Sequence, residues 1–232
     1  MRFQLKGADG HTEFWVFDAD PRLEPALSGL WWEPVGGGWR RTFACPPLQA
    51  EHAFENLTQL LLPTLRQAAD LDPVPWQDAL AEVCRRFESQ VDWWLGGSAA
   101  LAARGAPVSP HDLDLIVAEA DSVRAGELLA DGLIEPVTSS EWDLSTWWGR
   151  AFVHARIEWA GGVTPLADQP DLTDFGPAAA SALEPIRWHD WHVRVPPLHL
   201  QRAVSKRRGL TDRVAVIDQL GADGQEAKDP AG

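Results

Sequence analysis

Two adjoining segments near the middle of the chain place the strongest constraint on its fold. The first, residues 91–101, is typical of an apolar strand, a turn at Gly96 and Gly97, and an alanine-rich helix. Glycine tolerates positive φ and carries no side chain, so a phosphate could approach the main chain at this turn. Ser98 is predicted to cap the helix, whose positive end also favours an anion. The segment therefore predicts a phosphate-binding turn.

The second segment, residues 109–117, predicts a short strand with two acids on one face. Side chains alternate between the faces of a strand, so Asp112 and Asp114 should project together. Two carboxylates so close repel each other unless a cation lies between them. Mg²⁺ prefers oxygen ligands and is commonly held by one or two carboxylates together with substrate phosphates. Either segment alone is common as a plain turn or a solvated strand end, so their order and closeness carry the prediction.

In this order the two segments resemble the signature of the nucleotidyltransferase superfamily, which has a DNA polymerase beta-like fold. That signature is a hydrophobic strand, Gly-Gly or Gly-Ser at a helix start, and Asp-x-Asp on the next strand. The sequence LGGSAALAARGAPVSPHDLDLIV is most similar to the branch that contains the aminoglycoside adenylyltransferases and related small nucleotidyltransferases. The resemblance implies an α+β fold in which a mixed sheet is flanked by helices.

The resemblance also implies a reaction and its cofactors. The reaction is transfer of a nucleoside monophosphate, most simply AMP from ATP, to an acceptor hydroxyl, with release of pyrophosphate. Asp112 and Asp114 would bind Mg²⁺, with two ions expected in all. Gly96, Gly97 and Ser98 would hold the phosphates of the nucleotide.

The superfamily uses a third carboxylate on a later strand, and Glu158 is the best candidate for it. Residues 151–159 alternate as a single strand, with Arg156 and Glu158 on its polar face. Glu158 would complete a second metal site or take the proton from the acceptor. An edge strand with its polar face in water fits the same pattern. Asp143 and Glu141 are weaker alternatives, because their segment is typical of a connector.

A basic residue completes the predicted site. The resemblance implies that a cation from the C-terminal helical segment reaches the triphosphate, and Lys206 is our choice for that role. The alternative is that this cation stays in solvent and simply favours the helix dipole at a C-terminus.

The composition limits the partners. The chain has 34 acidic and 20 basic residues, a formal charge of −14, whereas nucleic-acid binders usually carry a basic patch. Extended nucleic acid is therefore an unlikely substrate. The negative field favours a cationic acceptor, although solubility alone also explains it.

No apolar run approaches the ~20 residues of a membrane helix and no signal peptide is evident, so we predict a cytoplasmic protein without membrane contact. Cys45 and Cys84 are too few for a disulfide framework.

Local patterns divide the chain into five segments. They are a β-rich accessory unit (residues 1–48), a helix and linker (49–75), a nucleotidyltransferase-like catalytic domain (76–195), C-terminal helices (196–221) and a disordered tail (222–232). The accessory unit would cover the catalytic domain or shape a pocket with its tryptophans, and covering is the simpler interpretation. The acids of a proline-rich loop follow no metal-binding spacing and are predicted to be solvated: Asp168, Asp171 and Asp174.

Three functions fit these observations. The first is transfer of AMP to a small molecule, for example a cationic, aminoglycoside-like acceptor. The second keeps the fold but transfers the nucleotide to tRNA or protein, as a toxin would. The third is an inactive nucleotide-binding or structural domain, because a fold does not establish activity. A large distance between Glu158 and the two aspartates would favour the third.

Overall fold

The computed structural model describes residues 1–8, 11–44, 49–140 and 143–226. Within them the protein has an α+β fold with a mixed central sheet flanked by helices, as predicted, together with two smaller antiparallel sheets. Cys45, Glu141 and residues 227–232 of the predicted tail lie outside the described residues. None of the helices in the described ranges combines the length and apolar character that a membrane span requires.

The N-terminal segment forms a four-stranded antiparallel sheet, in agreement with its predicted β-rich character. Its spatial order is β1-β2-β4-β3. The strands are β1 (Arg2–Ala8), β2 (His11–Phe17), β3 (Glu33–Val35) and β4 (Gly38–Ala44). A short helix, α1 (Glu24–Gly29), joins β2 to β3 and was not anticipated, since six residues show too little periodicity. Phe14, Val16 and Phe43 face inward and are fully buried in the main core.

Two long helices connect this sheet to the central one. Helix α2 (Ala50–Ala68) continues through Pro63 and buries Leu57, Leu61 and Leu65, which recur every four residues along one face. It packs on the last strand of the central sheet, and its Phe54 contacts Phe14 of β2 at 5.2 Å between ring centroids. Helix α3 (Trp76–Phe87) leads into the central sheet. The N-terminal sheet therefore shares its core with the rest of the molecule.

The central sheet has the order β5-β6-β9-β8-β7. Its strands are β5 (Trp93–Leu95), β6 (Leu113–Val117), β7 (Leu133–Ser139), β8 (Ser145–Val153) and β9 (Ala155–Val163). Strands β6 and β9 run parallel, whereas the other neighbours are antiparallel. Two short helices, α4 (Gly97–Ala103) and α5 (Ser122–Leu128), follow β5 and β6.

The segment 151–159 is not one strand, contrary to the prediction. The chain reverses at His154, whose φ is +63°, and Val153 pairs directly with Ala155. The preceding segment, expected to be a connector as far as Trp148, forms the first part of β8, from Ser145 to Trp148. Glu158 still lies on an inner strand, because β9 pairs with β6 on one side and with β8 on the other.

The C-terminal part contains a hairpin and three helices. The alternating pattern of residues 186–195 predicts a single strand. The chain instead forms a hairpin of β10 (Glu184–Trp188) and β11 (Trp191–Val195), which turns at His189 with φ +51°. The helices are α6 (Pro177–Ala180), α7 (Leu198–Arg207) and α8 (Thr211–Glu226). Because α8 continues to Glu226, residues 222–226 are helical rather than part of a disordered tail.

Candidate active site

The glycine turn lies directly against Asp114. Strand β5 pairs with β6, and the amide of Gly96 donates a hydrogen bond to the carbonyl of Asp114 at 2.7 Å. Gly97 has a φ of +58°, and a Cβ at this position would overlap the Asp114 carboxylate. Only glycine satisfies both constraints. The turn and the acids predicted to act together are therefore in contact.

Gly96, rather than Ser98, is the N-cap of α4. Its backbone is extended, and no side chain provides a capping hydrogen bond. The helix begins two residues earlier than predicted, which places Ser98 in its first turn. Ser98 therefore does not cap the helix, although its main chain remains beside the turn.

The structure brings the three predicted carboxylates together. The parallel register of β6 and β9 places Asp114 opposite Glu158, and Asp112 lies just before the start of β6. One carboxylate oxygen from each residue lies within 4.8 Å of the others. Asp143, the alternative to Glu158, is exposed and is not part of this cluster.

A line of alternating charges connects this cluster to the N-terminal sheet. Arg156 pairs with Asp112 and, through Nε at 3.1 Å, with Glu158. On the far side of Glu158, Arg150 Nε donates to Glu158 Oε1 at 2.7 Å, and the same guanidinium pairs with Glu135 of β7. Arg150 and Glu135 are each only 1% exposed. Buried charges of this kind persist only when they are paired and hydrogen-bonded.

Arg41 of β4 is the last charge in this line, with its Nε 3.6 Å from Glu135 Oε2. The line thus contains three arginines and three carboxylates, and its formal charges cancel. Asp114 is the additional acid. Among the described residues no arginine, lysine or histidine pairs with its carboxylate.

The pKa values of the two acids on the inner strands, Asp114 and Glu158, are shifted in opposite directions. Burial, followed by repulsion from Asp112 and Glu158, raises the pKa of Asp114 to about 7. Burial also acts to raise the pKa of Glu158, but Arg150 and Arg156 outweigh it and hold that pKa below its usual value. Glu158 is therefore a fixed negative charge and a poor proton acceptor.

The donor set fits a divalent cation. Three carboxylate oxygens converge, one of the three acids lacks a cationic partner, and its ionisation is suppressed by burial and by its acidic neighbours. Added positive charge at Asp114 would remove that repulsion. Asp112 and Glu158 already share Arg156, so a cation would compete with the guanidinium for their oxygens.

A cavity of about 400 Å³ adjoins the triad. Gly96, Gly97, Asp114 and Glu158 line one part of it. Other parts are formed by apolar and aromatic side chains, among them Trp31, Leu144, Trp148 and Phe175. This main cavity is mostly apolar with a few convergent charged groups, as small-molecule sites commonly are.

The cations at this cavity are Arg208 and Arg213, not Lys206. Lys206 is exposed and is not among the lining residues. Helical periodicity could have predicted this difference. The buried residues Gln201 and Ser205 of α7 define one face of the helix, and this face continues to Arg208. Lys206 is rotated about 100° away from Ser205 and lies on another face. Arg213 follows at the start of α8, and only the packing of the two helices brings it to the cavity.

Asp174 also lines the main cavity, contrary to the prediction that it is solvated. Burial raises its pKa, and a hydrogen bond from its own backbone together with the positive charges of Arg208 and Arg213 offsets only part of that effect. Asp168 is likewise not simply solvated, since its carboxylate accepts 2.8 Å hydrogen bonds from the amides of Thr173 and Ala178. Asp171 is exposed, as expected.

Comparisons with known proteins are sparse. No family model matches the chain, and no curated protein does. One similar solved structure is a protein of Thermotoga maritima that is named, provisionally, as a nucleotidyltransferase. It is 17% identical, and the alignment covers 64% of this chain and 93% of that one, with a TM-score of 0.48. A likeness this weak supports no assignment, and it does not single out the aminoglycoside adenylyltransferase branch.

Proposed function

We propose that the protein is a Mg²⁺-dependent nucleotidyltransferase that moves a nucleoside monophosphate, AMP from ATP, to a hydroxyl group of a small molecule. One observation carries the proposal: a positive-φ glycine turn touches the unneutralised acid of a carboxylate triad beside a cavity that also presents two arginines. Phosphate groups, a divalent cation and a small organic molecule each find complementary chemistry there.

Asp114 and Asp112 would hold the Mg²⁺ through their carboxylate oxygens. When bound, the ion neutralises phosphate charge and polarises the phosphoryl group. The balanced line of charges leaves one uncompensated acid, which favours a single ion. A second ion, which the resemblance implies, would have to displace Arg156 from Asp112 and Glu158.

The remaining residues of the site position the nucleotide. Phosphates would approach the main chain at Gly96 and Gly97, which carry no side chains of their own, next to the Asp114 carboxylate and with Ser98 beside them. Arg208 and Arg213 would bind phosphate oxygens in the role first expected of Lys206. Such positioning and charge neutralisation supply most of the catalysis in phosphoryl-type transfers.

In the reaction, the acceptor oxygen forms a bond to the α-phosphorus while the bond between that phosphorus and the bridging oxygen breaks, and pyrophosphate leaves. We assign the departing proton to Asp174, which lines the cavity and has a raised pKa. Glu158 would instead hold the local charge and Arg156 in place, since its own pKa is lowered.

The test is transfer of label from ATP. Purified protein with Mg²⁺ is incubated with α-³²P-ATP or γ-³²P-ATP and separate pools of small hydroxylated molecules, tRNA and cell extract. We expect α-label on a small molecule and γ-label in pyrophosphate. Label on tRNA or a protein would favour the toxin-like alternative, and no transfer to any pool would favour the inactive domain. The reason given above for an inactive domain, a distant Glu158, does not apply.

Two basic residues at the end of α7, Arg208 and Lys206, provide a matched pair of variants that tests the phosphate contacts. Arg208→Ala should raise the KM for ATP about tenfold or more, because charge-assisted phosphate bonds are among the stronger hydrogen bonds. Lys206→Ala, two residues away and exposed, should leave KM unchanged. The opposite ranking would return the role to Lys206.

A further inference from the structure

A second cavity lies where the N-terminal sheet meets β7, and it adjoins the main cavity. Its volume is about 260 Å³. Arg41 and Thr42 of β4 line it together with Thr138 of β7, while Trp31 and Trp148 line both cavities. The N-terminal sheet therefore does more than cover the core, because it forms one wall of a space that borders the candidate active site. We call this space the accessory cavity.

The two tryptophans form the partition between the cavities. Their rings are 5.1 Å apart at 48°. Trp31 has a φ of +65°, a strained conformation for a bulky residue and one that clusters at functional sites. The guanidinium groups of Arg41 and Arg150 lie 5.6 and 5.1 Å from the centroid of its ring, and 37% of the residue is exposed. The two arginines thus hold Trp31 in the partition, while part of its surface remains exposed.

The lining of the accessory cavity combines aromatic faces, hydroxyl groups and two opposite charges. Thr42 and Ser139 carry hydroxyls that can donate and accept, the Thr138 hydroxyl already donates to the carbonyl of Ala44 at 3.5 Å and can still accept, Glu33 accepts and Arg41 donates. This set suits a molecule with an apolar face and several hydroxyls at its edge. Glu33 pairs with Arg40 and Arg41 pairs with Glu135, so this lining has no acidic excess that would select a polycation.

We propose that the accessory cavity is the acceptor site and that it takes a neutral hydroxylated ring of the sugar class. The inference rests on the proposed function and names its acceptor. The ring would pack on the tryptophan partition and direct one hydroxyl past Trp148 into the main cavity. That oxygen would bond to the α-phosphorus, pyrophosphate would leave, and Asp174 would receive the proton.

Binding can be measured without the reaction. Saturation-transfer NMR on the full chain, without nucleotide, would use glucose, galactose, mannose and N-acetylglucosamine as neutral probes and kanamycin as the cationic one. We expect at least one neutral sugar to bind more tightly than kanamycin. Trp31→Ala and Ser139→Ala should each weaken its binding, the former at least tenfold. Trp31→Phe should restore most of the affinity, because it keeps an aromatic face.

Trp15→Ala is the matched control, since Trp15 lies on the same sheet but is not among the residues that line the accessory cavity. It should bind the sugar as the natural chain does, and so should Asp114→Asn, which removes the metal ligand. Sugar binding without any nucleotide transfer would refute the proposed function but keep this site. The site is refuted if no neutral sugar binds, if kanamycin binds more tightly, or if both Trp31→Ala and Ser139→Ala bind normally.

Discussion

Two arginines of this protein each lie between two glutamates, one in each large sheet. In the central sheet Arg150 contacts Glu135 and Glu158, and the three side chains are 1%, 1% and 10% exposed. In the N-terminal sheet Arg40 contacts Glu13 at 3.4 Å and Glu33 at 3.0 Å, and Arg40 and Glu33 are 31% and 65% exposed. The residue types are the same, yet only the first cluster adjoins a carboxylate with a strongly raised pKa. The two clusters therefore differ in burial rather than in residue type, and the raised pKa accompanies the buried one.

The largest effect should come from removing the acid that burial perturbs most. Asp114→Asn should lower nucleotide transfer by about 10³-fold or more, because it removes a metal ligand from the phosphate site. Asp18→Asn in the N-terminal sheet, which disrupts an exposed pair with Arg2 at 3.5 Å, should leave the rate unchanged. Steady-state kinetics and circular dichroism of both variants test this. Normal turnover by Asp114→Asn would discard the assignment.

The two arginine clusters can be compared directly by unfolding. Arg150→Met leaves Glu135 and Glu158 buried without their main partner, and should cost about 3–5 kcal/mol of unfolding free energy. Arg40→Met should cost less than about 1 kcal/mol, because water screens its pairs. Urea denaturation gives both values. Equal losses would mean that burial does not distinguish the clusters.

Both the unfolding free energy and the metal affinity should depend on pH through Asp114 of the buried cluster. With its pKa raised from 3.8 to about 7, Asp114 keeps a proton in the folded protein that the unfolded chain releases near pH 4. Its contribution to the unfolding free energy therefore decreases as pH rises from about 4 to 7. Metal affinity should increase by about tenfold per pH unit well below pH 7 and less steeply as the pH approaches 7, because the cation must displace the proton.

Titration with Mn²⁺ at pH 5, 6 and 7, and urea midpoints in EDTA at the same values, measure these two dependences. Asp114→Asn supplies the control, since it should flatten both. Metal affinity that is independent of pH in the natural chain would contradict the raised pKa.

The smallest effect in this series concerns two glycines with nearly the same backbone. Gly97 has φ +58° and Gly36 has φ +56°, but a Cβ at Gly36 would meet no described atom within 4 Å. Both alanine variants should lose about 1 kcal/mol from the strained φ. Gly97→Ala should lose about 1–2 kcal/mol more and reduce transfer, because its methyl group overlaps Asp114. Thermal unfolding and the transfer assay compare them, and identical losses would show that the close approach is unimportant.

Short-range patterns in the sequence predicted the turn and the acid pair, and the resemblance to the nucleotidyltransferase signature implied that they act together. Gly97 and Asp114 are close in the chain, and the antiparallel pairing of β5 with β6 brings them together. Two hairpins were missed because His154 and His189 take positive φ without any glycine, proline or asparagine to mark a turn. Sequence patterns gave no sign of the reversal at His154, whereas Asp190, next to His189, is of a type common in turns.

The remaining parts of the site depend on non-local packing. Glu135 and Arg150 lie on different strands, and their pairing follows from a register that local periodicity cannot predict. Arg213 and Asp174 reach the main cavity only through the packing of the loop and helices that carry them. The position of Arg208 at the cavity could have been predicted from the sequence, since this residue continues the buried face of α7.

The turn at His154 has a consequence for how the protein can vary. It fixes the phase of β9, and strand side chains alternate with a period of two. Lengthening this loop by a single residue without a compensating bulge would move Arg156 and Glu158 to the other face of the sheet. An insertion that a hairpin outside the central sheet could accommodate would here separate the members of the acidic triad, although all three residues remain in the chain.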